Sequence, residues 1–139
     1  MLTVSVSRAE QWRHLRATIR AAAADERAVL LAAEARRVRR QVLTMINRAG
    51  MGHVGGDFSV TDILVTLYYS VLAVDPERPS WVDRDRLILS KGHCAASLYA
   101  TLAGCGYFPE SELATFMAPL SPLSGHPDRT KRRRAPRKP

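Results

Sequence analysis

Three of the four histidines in this 139-residue chain are preceded by glycine: Gly52-His53, Gly92-His93 and Gly125-His126. An imidazole changes charge near neutral pH, so it can carry a proton, donate to a phosphate or orient a hydroxyl. Glycine beside it lets the backbone turn through positive φ or come close to a ligand. The stretch Gly50-Met51-Gly52-His53-Val54-Gly55-Gly56 gathers four glycines around one histidine. Taken alone it reads as a tight turn with His53 solvated at its tip, and it becomes a site only if other residues bring chemistry to the same place. His93 has two readings on spacing. It is either a donor to an anionic group where a helix starts at a sheet edge, or a helix-capping histidine in a satisfied turn. His126 reads locally as a loop histidine before Pro127, and His14, with no glycine neighbour, as a surface residue.

The elements that must position these residues are mostly helical. From about Glu10 to Ala49 the chain is rich in Ala, Arg, Leu and Glu, with no proline or glycine, which is strong helix-forming sequence. Val38, Val42, Met45, Ile46 and Ala49 recur at spacings of three and four, predicting an amphipathic helix that ends at Gly50. Arg36, Arg37, Arg39 and Arg40 fill its other side and read as a solvated face. The part around Ala21 to Ala24 reads as a separate helix or a loosely held arm. After the glycines, Ser59 and Asp62 fit a capping box, followed by a face of Ile63, Leu64, Leu67, Tyr68, Val71 and Leu72. Asp75-Pro76 stops that helix. Leu87-Ile88-Leu89 reads as a short, fully buried strand, which turns through Ser90-Lys91-Gly92-His93 into a small apolar helix of Cys94, Ala95, Ala96, Leu98, Tyr99 and Leu102 closed by Gly104 and Gly106. A short helix from Pro109 and a loop through Pro127 follow.

Composition bounds the class. Hydrophobic residues make up 46% and charged residues 24%, as in ordinary globular proteins, so disorder throughout is excluded. The formal charge of +8 suggests a nucleic-acid partner, but seven of the 21 basic residues fall in 129–139, and the other 14 nearly balance 13 acidic ones. The tail, rich in Arg, Lys and Pro, is expected to be disordered. Cys94 and Cys105, separated along a helix, are expected to be free thiols, which fits a cytoplasmic setting. No secretory signal or membrane-spanning run is visible in the sequence.

The motifs Gly52-His53-x-Gly55-Gly56, Asp62-Ile63-Leu64, Asp75-Pro76, Trp81 with Asp83-Arg84-Asp85-Arg86, Ser90-Lys91-Gly92-His93, Leu98-Tyr99, Gly106-Tyr107 and Gly125-His126-Pro127 follow in the order and spacing of the start of transketolases. The chain resembles most the N-terminal subunit of two-chain (split) transketolases, from about Ala35 to about Lys131. Val54 stands where the family commonly has proline.

The resemblance implies an α/β fold: the N-terminal part of a thiamine diphosphate-binding parallel-sheet domain, mostly helical in this piece. The organisation it implies is an N-terminal helical arm over 1–34, a partial diphosphate-binding domain over 35–128 and a basic tail over 129–139. It implies transfer of a two-carbon ketol unit from a ketose to an aldose with thiamine diphosphate and Mg²⁺, on sugar phosphate substrates. By the same resemblance His53, His93 and His126 are the catalytic residues and His93, Gly92 and His53 bind the cofactor: His53 serves the substrate and intermediate near the reacting carbon, His93 the cofactor diphosphate and the reacting hydroxyls, and His126 a substrate hydroxyl. The family's Gly-rich loop and its Gly-Asp-Gly segment with a downstream Asn, which hold Mg²⁺, do not follow Pro127. The chain is therefore expected to be a truncated or frameshifted product, inactive alone, completed by a C-terminal transketolase subunit or a missing continuation and dimeric as the family is. The other class of function is an interaction module whose basic tail binds nucleic acid without sequence preference, or an acidic partner.

Overall fold

The structure, a computed structural model, describes residues 2–128; the expectations for the tail over 129–139 lie outside them. Four helices carry the fold: α1 (Val6–Ala21), α2 (Ala24–Ala49), α3 (Val54–Thr66) and α4 (Ala95–Cys105). A π-helical turn, Leu67–Val71, prolongs α3, and a 3-10 turn, Glu110–Thr115, follows α4.

Helix α1 is a separate helix, and the corner that parts it from α2 contains no proline or glycine. Ala22 and Ala23 take extended conformations there. The Arg27 guanidinium holds the corner by donating to the carbonyls of Ile19 at 3.1 Å and Ala22 at 2.8 Å. Side-chain bonds to otherwise free helix-end carbonyls are a common way of closing a terminus. Ala9, Trp12 and Ile19 are buried along α1. Helix α2 ends as its sequence predicts, with Gly50 at φ 70° and its N–H bonded to the Ile46 carbonyl at 2.9 Å. Val38, Val42 and Met45 are its buried stripe.

The arginines between them are not one solvated face. Arg36 and Arg40 are exposed, but Arg37 donates to Glu34 at 2.9 Å, Glu110 at 2.8 Å and Tyr69 Oη at 3.1 Å. Arg39 pairs with Asp62 and donates to the Phe58 carbonyl at 2.9 Å. These two tie α2 to α3 and to the 3-10 turn.

Helix α3 begins five residues before the predicted capping box. Its N-cap is His53, and Ser59 lies inside the helix, with its hydroxyl donating to the Gly56 carbonyl at 2.9 Å. The predicted box fails because Asp62 is engaged by Arg39 and the glycines enter the helix. The buried face is also rotated from the predicted one. Asp57, Val60, Thr61, Leu64 and Val65 are buried, whereas Ile63 and Val71 are each 58% exposed.

Helix α4 is the centre of the fold, with every residue from Ala95 to Cys105 buried. Its small side chains let neighbours approach closely. A Cβ on Gly106 would lie 2.5 Å from the Ala9 backbone nitrogen, and the Ser5 N–H donates to the Gly106 carbonyl at 3.0 Å, so α1 lies directly on the end of α4. Gly104 lies within the helix and does not close it, and Gly106 is the C-cap at φ 93°. Cys94 and Cys105 are buried free thiols at its two ends.

The predicted strand is corrected. Among the described residues there is no strand, and Leu87–Leu89 is an irregular segment with Ile88 86% exposed. A strand needs a neighbour to take up its amides and carbonyls, and none of the described residues offers one. The described residues are helical, which is consistent with the expected mostly helical piece of an α/β domain. No described helix is long and apolar enough to cross a membrane.

Candidate functional site

The three glycine-flanked histidines meet at one pocket. Its volume is about 120 Å³, and Gly52, His53, Asp57, His93, Phe116, Met117 and His126 are among its lining residues. His53 reaches it as the N-cap of α3. His93 stands immediately before Cys94, the N-cap of α4. His126 comes from the loop after the 3-10 turn. The helix-capping reading of His93 fails, since Cys94 holds that position.

The His53 and His93 rings stand edge to face, with centroids 5.1 Å apart and planes at 64°. The glycines make this approach possible. A Cβ on Gly56 would lie 3.0 Å from Cys94 Sγ and 3.2 Å from His93 Nε2, and one on Gly92 would lie 3.2 Å from His126 Cδ2. Gly92 is therefore part of the packing that seats His126. The loop between α2 and α3 hugs its own helix, because a Cβ on Gly52 would fall 2.5 Å from Ile46 Cγ1.

Beneath the imidazoles is a buried polar cluster. Asp57 is 1% exposed, and its Oδ1 accepts from the Ser97 N–H at 2.8 Å. The Thr61 and Ser97 hydroxyls each donate to the Asp57 carbonyl at 2.8 Å, and the Thr101 hydroxyl donates to the Ser97 carbonyl at 2.8 Å. Burial pushes the Asp57 carboxyl above the usual range, opposed by its bonds from Ser97 and by His53 and His93. Nearby, the Lys91 ammonium donates to Ser59 Oγ at 2.8 Å and to the Gly56 carbonyl at 3.3 Å. The pocket lining also has an apolar part, Met51, Phe116 and Met117. Met117 is held at φ 59°, with its N–H bonded to the Leu123 carbonyl at 2.8 Å.

Asp57 and the apolar wall have no counterpart in the sequence reading. A single Asp after two glycines looks like any exposed turn residue, and only its burial sets it apart. The one sequence cue is its spacing of four from Thr61, which places two polar side chains on the same helix face.

The family model for the thiamine diphosphate binding domain of transketolase matches residues 31–135. This chain belongs to the transketolase family. Among its relatives, the 6-deoxy-6-sulfo-D-fructose transketolase subunit of Clostridium sp. is 43% identical over 75% of this chain and 38% of its own length. One of the apulose-4-phosphate transketolase subunits of Phocaeicola vulgatus is 38% identical over 64% of this chain and 32% of its length. Transketolase 1 of Escherichia coli is 36% identical over 66% of this chain and 14% of its length. The chain thus spans about a third of the length of the subunit relatives.

The pocket is too small to enclose a molecule of the size of thiamine diphosphate by itself. Sites that enclose ligands of that size typically have about 300–1,000 Å³, well above what is present. Neither the His53 nor the His93 side chain makes a hydrogen bond to another described residue, so both ring edges remain for a polar ligand. Among the described residues no group of three His, Cys, Asp or Glu side chains is placed to hold a metal ion.

Proposed function

We propose that this chain supplies one wall of the thiamine diphosphate site of a transketolase-type enzyme, which moves a two-carbon ketol unit from a ketose to an aldose. The observation that carries this reading is the convergence of His53, His93 and His126, from three separate segments, on one pocket. Bound thiamine diphosphate supplies a nucleophilic carbon and an electron sink, which allow the bond beside a ketose carbonyl to break. The chain's own part is to bind and to move protons. His53 hydrogen-bonds the substrate at the reacting centre and exchanges a proton with its hydroxyl. His93 donates to the diphosphate and to the same hydroxyls, with Gly92 giving the backbone room. His126 orients a further hydroxyl, and Met51, Phe116 and Met117 exclude water from one side. Phosphorylated sugars suit this rim, since imidazoles and Lys91 offer donors to anionic groups.

The rest of the site, with the Mg²⁺ ligands that an ion-bridged diphosphate needs, belongs to further transketolase sequence or to a partner chain, and the assembled enzyme is a dimer. Two relatives are named as subunits, which supports a partner. By this reading the chain alone is inactive. Its two buried thiols suit the reducing cytoplasm.

The test uses an enzyme that contains this segment together with the remainder of a transketolase and its partner chain. His53→Ala and His93→Ala should each lower ketol transfer by about 10²- to 10⁴-fold, the usual effect of removing a positioned proton-transfer group, while His14→Ala leaves it unchanged. Equal activity of the three variants would overturn the assignment.

A further inference from the structure

We propose that Asp57 is a positioning residue: from α3 it closes the N-terminus of α4, and by joining the two helix starts it fixes His53 and His93 edge to face on the pocket wall. Its use in ketol transfer rests on the function proposed above, but the positioning itself does not.

The first turn of a helix has four N–H groups without intrahelical partners, and an oxygen from the N-cap side chain ordinarily accepts one of them. The N-cap of α4 is Cys94, which makes no such bond. A thiol is a weak acceptor. The missing acceptor arrives from another helix: Asp57 Oδ1 takes the N–H of Ser97, the third residue of α4, at 2.8 Å. A carboxylate is well suited to the positive end of a helix dipole. The Ser97 hydroxyl adds a second bond in the same sense, donating to the Asp57 carbonyl at 2.8 Å. One residue pair thus makes two bonds between the helices, both donated by Ser97 and accepted by Asp57, in a place sealed from water.

The histidines stand at the two chain ends that this clasp joins. His53 is four residues before Asp57, and its carbonyl accepts the Asp57 N–H at 2.9 Å. His93 is four residues before Ser97, and its ring lies against the space left open at Gly56. Neither imidazole is held by a side-chain hydrogen bond to a described residue. The distance between them is therefore set by the relative position of the two helix starts.

The experiment is proton and nitrogen NMR on the whole 139-residue chain at one fixed pH, reading the Ser97 amide exchange rate and the ring-current shifts of the His53 and His93 Hε1 protons. The Ser5 amide, bonded to Gly106 far from the pocket, serves as the reference for global folding. Asp57→Ala should speed Ser97 exchange about five- to thirty-fold, the range expected for losing a cap, and should abolish the mutual ring-current shifts while Ser5 stays protected. Asp57→Asn keeps an oxygen acceptor and should retain both signals. Unchanged imidazole shifts in Asp57→Ala would overturn the proposal, as would their loss in Asp57→Asn. If Asp57→Ala also loses Ser5 protection, Asp57→Asn decides: retained signals support the clasp and lost ones overturn it. Failure of the transketolase reading would appear only in ligand binding or turnover, leaving these signals as they are.

Discussion

His53 and His93 share a pocket because a carboxylate and a glycine lie beneath them, and the carboxylate has an energetic signature of its own. Burial raises the Asp57 carboxyl above its ordinary value, against the opposing pull of Ser97 and the two histidines. An acid whose pKa is higher folded than unfolded costs stability wherever it must be ionised in the fold. That cost vanishes as pH falls through the raised value towards the unfolded aspartate value of about 3.9. Asp57→Asn should therefore be more stable than the native chain near neutral pH, and the difference should shrink as pH falls through that window. Thermal unfolding at a series of pH values measures it, and a difference that stays constant would count against ionisation at this site. The histidines were legible in the sequence because their glycine neighbours were visible there. Asp57 was not, since a solvated turn carboxylate and a buried cap look the same until α4 is brought against it.

At the scale of elements, small residues mark where helices touch. A side chain at Gly106 meets two obstacles, a φ of 93° and the Ala9 backbone nitrogen at 2.5 Å. Left-handed backbone alone costs an ordinary residue about 1–2 kcal/mol. Gly106→Ala should thus cost more than about 2 kcal/mol in chemical denaturation, because α1 must also move. Gly55→Ala is the control, since a Cβ there meets nothing within 4 Å and alanine favours a helix. The end of α2 and the apolar stripe of Val38, Val42 and Met45 could be read from periodicity, because a single buried face leaves a clean pattern. The start of α3 could not. Glycines conceal a helix start, and the Ser59 and Asp62 pair imitates one. Helix α4 left little periodic signal because it is buried all round, and a uniformly apolar stretch names no face.

For the whole molecule, what the sequence could not reveal is which surfaces are covered. Leu87-Ile88-Leu89 has the composition of an interior strand, yet no described residue pairs with it and Ile88 is 86% exposed. The tie at its start is local: the Asp85 N–H donates to the Ala73 carbonyl at 2.9 Å, and the Asp85 carboxylate accepts from the Ala73 N–H at 2.7 Å. Beyond that tie come three apolar residues in succession, Leu87 and Leu89 packed in part against the core and Ile88 exposed, whose backbone groups bond to no described residue, the feature that invites edge-to-edge pairing between molecules. The consequence concerns handling and quality control more than catalysis. Produced by itself, this polypeptide should be prone to concentration-dependent aggregation through residues 86–90, and a cell would treat that segment as a chaperone target. Ile88→Lys should raise the soluble yield and suppress light scattering on heating, with no loss of helical content by circular dichroism, because the residue it replaces packs against little of the described fold.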